Sequence, residues 1–228
     1  MTPTAREPRN AVYLDCDPGV DDALAIAVLL RHSPGSLHGI GTVSGNVNAL
    51  TGARNAAGIL ALADRRDIPV AIGRLDPLLG AYNGGFGHVH GADGLGAVEI
   101  PRLEPCYSDD SAVSMLLRLA SERRGRLRVI AIGPLTNIAV ALELEPQLPE
   151  MVDELIIMGG AYAVPGNVTP HAEANIWSDP EAADRVLRSR LRMTLVPLDV
   201  TMQHTFTNPD FEHLKTSRDG LDHARARS

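Results

Sequence analysis

Four carboxylates fall within eight residues at Asp15-Cys16-Asp17-Pro18-Gly19-Val20-Asp21-Asp22, and this stretch constrains the chain more than any other. A short apolar run ending in Val12-Tyr13-Leu14 precedes it. The apolar, helix-forming run Ala23 to Leu30 follows, and no Lys or Arg intervenes before Arg31. The pattern predicts a strand, a tight turn and a helix, with Pro18 and Gly19 supplying the turn chemistry. Carboxylates this close repel one another, so some must protonate unless a cation joins them. Carboxylate oxygens are the ligands that hard cations such as Ca²⁺ and Mg²⁺ take. Asp21 and Asp22 also suit the start of a helix, where acids complement the macrodipole. Capping accounts for those two acids and leaves Asp15 and Asp17, so the turn is a candidate metal or catalytic site.

The remaining chain alternates strands with helices. Strands are expected at Leu37 to Val43, Ile68 to Ile72, Leu127 to Ile132, Leu155 to Met158 and Met193 to Leu198. Helical spacing runs over Ala49 to Ala63, over Asp110 to Arg124 behind an acidic Ser108-Asp109-Asp110 cap, from Thr136 to Glu145, and over Asp179 to Arg188. Gly73 to Gly96 is a long Gly-rich stretch, and a loop of that length inside a compact domain is usually functional or mobile. The segment from Gly159 through Asn175 reads as irregular, and Lys215 to Ser228 as a polar tail without apolar period. We expect one α/β domain over residues 1–228, a Rossmann-like open, mainly parallel sheet with helices on both faces. Ligands bind such sheets at the C-terminal ends of the strands. Asp15 to Asp22, Asn46, His90, Thr136-Asn137, Asn167 to Asn175 and Asp199 each follow a strand, which predicts one composite site.

Charge and composition narrow the function classes. A net charge of −7 opposes a nucleic-acid or anionic-membrane surface, because phosphates need a basic patch. No apolar run approaches a membrane span, and Met1 to Asn10 lacks the apolar core of a signal peptide, so cytoplasm is the expected compartment. Cys16 and Cys106 are too few for a disulfide framework. Cys16 lies between two acids that raise its thiol pKa, which makes it a packing residue. No Gly-x-Gly-x-x-Gly joins an early strand to a helix, and no phosphate-loop motif occurs.

The other clusters carry weaker signals. Asn46 follows Gly45 at a strand end, where turn and ligand roles are both open. His88 and His90 flank Val89 in the Gly-rich loop, as loop histidines or as an i, i+2 metal pair. Gly133-Pro134-Leu135-Thr136-Asn137 is a strand-to-helix turn with Thr136 as a candidate cap, and it leaves backbone carbonyls near the site mouth. Asn167, Glu173 and Asn175 place two amides and a carboxylate on one loop, which suits a polyhydroxylated ligand. Trp177, the single tryptophan, reads as core or pocket wall, with base stacking the sharper alternative.

Taken together, these residues resemble the inosine–uridine-type nucleoside hydrolase family. The resemblance is carried by the Asp15 to Ala23 fingerprint, Ser44-Gly45-Asn46, His88-Val89-His90-Gly91, Gly133 to Ala139, Met158-Gly159-Gly160 and Glu173-Ala174-Asn175-Ile176, in family order from about Val12 to Thr201. It implies Ca²⁺-dependent hydrolysis of the N-glycosidic bond of ribonucleosides to ribose and free base. By that resemblance Asp17, Asp22 and the Thr136 carbonyl hold Ca²⁺, and a later carboxylate completes the protein ligands. Asp17 also serves as the base for the attacking water, and Asp15 supports the metal loop. Asp21, Asn46, Asn167, Glu173 and Asn175 bind the ribose, and His90 faces the nucleobase. A homodimer or homotetramer is implied as well.

Family members continue past this length and carry a His-Asp-Pro segment that supplies the last calcium ligand and the leaving-base acid. No His-Asp pair occurs in these 228 residues, and Asp222-His223 is reversed. We therefore expect weak Ca²⁺ and nucleoside binding with slow hydrolysis. Two other classes are weighed beside it. A non-catalytic ribose- or nucleoside-binding homologue fits the missing pair. A phosphatase of the haloacid dehalogenase type would use Asp15 as nucleophile and needs a lysine; the sole lysine, Lys215, lies in the unpatterned tail.

Overall fold

In the computed structural model, residues 11–98, 100, 101, 107–210 and 212 are described. The described part opens with β1 (Ala11–Cys16), whose six residues are all buried. Strands on both sides and helices on both faces enclose it, which is why this run is nearly continuous in apolar residues. After it come α1 (Val20–His32), β2 (Leu37–Thr42), α2 (Ala49–Leu62), β3 (Val70–Ile72) and the single turn α3 (Gly87–His90). The second half runs α4 (Ala112–Glu122), β4 (Leu127–Ala131), α5 (Thr136–Leu144), α6 (Leu148–Met151), β5 (Val152–Met158), α7 (Ala174–Ser178), α8 (Pro180–Leu187), β6 (Met193–Val196) and α9 (Leu198–Thr201).

All pairings are parallel, in the order β3-β2-β1-β4-β5-β6. The chain winds outward from β1 to β3, then returns to β4 on the other side of β1. That reversal opens a crevice at the carboxyl ends of β1 and β4, the switch point where open sheets bind ligands. Helices α1 and α2 cover one face through Ile26, Leu30, Ala53, Ile59 and Leu60, packed on Leu14, Cys16 and Ile40. On the other face α4, α5 and α8 bring Met115, Leu116, Ile138 and Val186 onto Tyr13, Val129, Leu155 and Ile157. The expected fold class is the observed one.

Several local expectations change. Helix α4 begins at Ala112 because Ser111, not the Ser108-Asp109-Asp110 run, caps it: its Oγ accepts the Ser114 N–H at 3.1 Å. Asp110 instead pairs with Arg118 at 3.0 Å. The segment expected to stay irregular through Asn175 already turns helical at Ala174. Strand β6 stops at Val196, where Pro197 has no N–H to give the sheet. The Gly73 to Gly96 stretch is anchored along its length, by Arg74 N–H to Asn137 Oδ1, Phe86 N–H to Asn46 O and Asn55 Nδ2 to Asp93 O. Cys106, Lys215 and the 215–228 tail lie outside the described residues. Among the described residues no helix is long and apolar enough to cross a membrane.

Candidate active site

The acidic turn leaves β1 at its carboxyl end and feeds α1. Its carboxylates divide sharply by exposure: Asp15, Asp17 and Asp22 are buried, while the Asp21 side chain is 73% exposed. Asp22 sits three residues into the helix and reaches back, accepting the Gly19 N–H at 3.0 Å and the Asp17 N–H at 3.4 Å. Asp22 Oδ2, which takes the Gly19 N–H, also accepts Asn46 Nδ2 at 3.2 Å. Asp17 accepts the Asn46 N–H through Oδ2 at 2.6 Å, which ties the β2–α2 loop to the turn. Its Oδ1 is buried with no hydrogen-bond partner.

Two glycines make this crowding possible. A Cβ on Gly45 would collide with Asp17 Oδ2, and one on Gly133 would come within 2.8 Å of Oδ1. The loops after β2 and β4 therefore close around one carboxylate. Burial drives the Asp17 carboxyl well above its ordinary pKa, and the Asp22 charge adds to it. Asp22 shifts the same way through burial and then Asp21. Two buried carboxylates sharing a turn, one oxygen without a donor, form an all-oxygen environment short of positive charge. That chemistry fits a hard divalent cation. Among the described residues no three His, Cys, Asp or Glu side chains converge as a complete metal cluster.

Asp15 plays a different part. It is fully buried; its Oδ1 accepts Tyr13 Oη at 3.2 Å and Asn137 Nδ2 at 3.0 Å, and its Oδ2 has no partner. Burial raises its pKa to about 7, against the lowering effect of those two donors. A carboxylate enclosed in this way is poorly placed for the nucleophilic role that the phosphatase reading gives it. It braces the turn from behind.

His90 closes the turn from the loop side. Its Nδ1 accepts the Val20 N–H at 3.3 Å and lies 3.8 Å from Asp21 Oδ1. With Nδ1 accepting, the ring proton is assigned to Nε2. Burial depresses the His90 pKa, partly offset by the Asp21 charge, with His88 adding a smaller lowering. Asp21, Asn46 and His90 thus surround the Asp17–Asp22 pair.

The other predicted residues form a second group at the end of β5. Glu173 caps α7, its two oxygens accepting N–H groups of Asn175 at 2.9 Å, Ile176 at 3.1 Å and Gly160 at 2.9 Å. Asn175 donates Nδ2 to the carbonyls of Ile132 at 2.9 Å and Met158 at 3.1 Å. Asn167 accepts the Ala174 N–H at 2.9 Å and so shapes the loop leading into α7. The two groups meet at the end of β4: Asn175 holds Ile132, whose neighbour Gly133 lies against Asp17. Asp199 stands apart, its carboxylate held below the usual range by the N–H groups of Tyr162 and Ala163.

Thr136 is buried at the start of α5, but not as its side-chain cap. Leu135 occupies the cap position, and the Thr136 hydroxyl donates to Asp179 Oδ2 at 2.6 Å. Trp177 is not core: it is 40% exposed, its ring 6.2 Å from that of Phe86. Asn137, expected at this sheet edge, joins Asp15, the Thr42 carbonyl and the Arg74 N–H. One contributor escaped the sequence reading. Asn55 fixes the Pro18 carbonyl at 3.1 Å from within α2, with no local pattern to reveal it.

Comparison with known proteins agrees with this arrangement. A family model described as inosine-uridine preferring nucleoside hydrolase matches residues 12–226. Probable uridine nucleosidase 2 of Arabidopsis thaliana is 39% identical over 214 residues, covering 93% of this chain and 66% of that protein. Probable uridine nucleosidase 1 of Oryza sativa subsp. japonica is 35% identical over 210 residues, covering 92% and 65%. The chain spans just under two thirds of the length of these curated relatives. Among solved structures, the plant nucleoside hydrolase PpNRh1 aligns with a TM-score of 0.87 at 37% identity, covering 96% of this chain and 69% of that one. A purine-preferring ribonucleoside hydrolase from Gardnerella vaginalis aligns with a TM-score of 0.89 at 34% identity, covering 95% and 70%. By its acidic turn, its sheet and the match over nearly its whole length, this chain belongs to the inosine-uridine preferring nucleoside hydrolase family.

Proposed function

We propose that this chain carries the catalytic edge of a Ca²⁺-dependent ribonucleoside hydrolase, which cleaves the N-glycosidic bond to give ribose and free base. The observation that carries the reading is Asp17 Oδ1, a buried carboxylate oxygen with no donor, beside a second buried carboxylate. Asp17, Asp22 and the Thr136 carbonyl would hold the cation. When bound, Ca²⁺ offsets the buried charge and orients the attacking water and vicinal ribose hydroxyls.

Asp17 takes the proton of the attacking water. One of its oxygens is free of donors and so has a lone pair open to that proton. The exposed Asp21 carboxylate and the Asn46 amide reach ribose hydroxyls as acceptor and donor. Bond cleavage develops positive, oxocarbenium-like charge on the sugar. The fixed carboxylates of the turn stabilise that charge without reorganising. His90, neutral with its proton on Nε2, presents a donor toward the departing base. Asn167, Glu173 and Asn175 complete the ribose end, Glu173 and Asn167 through the backbone they hold. Relatives are named for uridine and for purine nucleosides, so both kinds of base belong in the test.

The test is release of reducing sugar from inosine and uridine, with Ca²⁺ and with chelator. Slow release that the chelator abolishes supports the reading. Calorimetric binding of ribose without any turnover would replace it with the non-catalytic binding homologue. Phosphate release from a phosphoester would overturn both.

A further inference from the structure

Asp179 is fully buried, and the sequence presents it only as a cap before Pro180. Capping occupies one oxygen: Oδ1 accepts the Ala182 N–H at 3.0 Å. Oδ2 accepts two further donors, the Thr136 hydroxyl at 2.6 Å and the Leu78 N–H at 2.9 Å. Those donors come from α5 and from the Gly-rich loop, 43 and 101 positions away in sequence. Asn or Ser would cap α8 as well as Asp does. A second oxygen that accepts two more bonds at once is what the carboxylate adds.

We propose that Asp179 is a positioning residue, latching the start of α5 and the Gly-rich loop to one buried oxygen. It thereby fixes Thr136 and the loop that bears His90 in register with each other. The calcium arm of this proposal rests on the function proposed above, in which Thr136 contributes its carbonyl; the loop arm does not. The molecule carries a reporter for that loop. Trp177, the single tryptophan, lies two residues before Asp179 and packs near Phe86 of the loop.

Three variants test the latch: Asp179→Asn, Thr136→Val and Thr136→Ser. In Asp179→Asn the amide satisfies only one side: with its oxygen on Ala182 the NH₂ meets the Leu78 N–H donor to donor, and with its oxygen on Leu78 the cap that seats it on α8 is lost, so either orientation loosens the anchor. Acrylamide quenching of Trp177 is expected to rise about twofold, as a segment freed of its anchor opens more often. Thr136→Val keeps the cap, the Leu78 bond and the backbone carbonyl, so its fold is retained. Its Ca²⁺ affinity by calorimetry is expected to fall about tenfold, the usual scale for losing an outer partner of a metal ligand. Thr136→Ser should restore it. Wild-type quenching in Asp179→Asn, or equal Ca²⁺ affinity in Thr136→Val and wild type, overturns the latch. A wild-type chain that binds no Ca²⁺ refutes the proposed function instead, and the quenching result then decides the latch alone.

Discussion

Asp17 and Glu173 are both carboxylates buried at the carboxyl edge of the sheet, after β1 and β5, the strands that flank β4. Glu173 meets three backbone N–H groups, so its charge is fully answered by the amides of α7 and Gly160. Asp17 meets one N–H, faces a second buried carboxylate and keeps one oxygen without a partner. The first arrangement is a structural cap. The second is a deficit of positive charge that the protein alone does not fill. Burial of an acid therefore does not by itself mark a reacting group, and neither does a bare oxygen, since Asp15 Oδ2 is also buried without a partner; a bare oxygen beside a second buried carboxylate does.

The contrast can be broken most directly by neutralising each acid in turn. Asp17→Asn removes the base, and ribose release is expected to fall about 1,000-fold. A steady-state assay in which this variant keeps wild-type kcat would assign the chemistry elsewhere.

Stability should separate the two acids by sign. In Glu173→Gln the NH₂ group must face at least one N–H donor, that of Asn175 when the oxygen keeps Gly160 and Ile176. We expect a loss of about 2 kcal/mol, or roughly 6 °C in Tm for a chain of this length. Asp17→Asn in chelator relieves the repulsion with Asp22, so its Tm should rise by a few degrees. Calorimetric melts showing the same sign for both would remove the distinction between cap and open carboxylate.

The smallest effect is on pH dependence. Burial raises the Asp15 carboxyl from 3.8 to about 7 in the folded chain without cation. The folded state then holds the extra proton. This stabilisation is complete below 3.8 and is lost as pH rises through about 7. Asp17 and Asp22 shift in the same direction. In chelator the Tm should be higher near pH 5 than near pH 8, and Ca²⁺ should stabilise most at the higher pH. A chelated chain that grows more stable over that interval would contradict the reading of the turn.

The alternation of strands with helices and the gathering of polar clusters at one sheet edge were legible because parallel strands bury continuous apolar runs and the loops after them carry the acids and amides. Only part of the acidic turn is local: Asp22 reaches back to the Gly19 and Asp17 N–H groups, while Asp17 and Asp22 both meet Asn46 from the β2–α2 loop. What the sequence did not disclose was every link of long range. Thr136 reads as a cap until its hydroxyl is found on Asp179, and Asn137 reads as a turn residue until it is found on Asp15. Glu173 reads as a ribose ligand, while its oxygens are engaged by the local helix start. A side chain's type is local information; which of its atoms remain free is settled by the packing of distant segments.

Calorimetric titration of Ca²⁺ into the wild-type chain and into Asp17→Asn tests the central claim most directly. The account predicts one binding event in the wild type that Asp17→Asn abolishes, while Glu173→Gln retains it. Equal binding by wild type and Asp17→Asn, or none by the wild type, would contradict it.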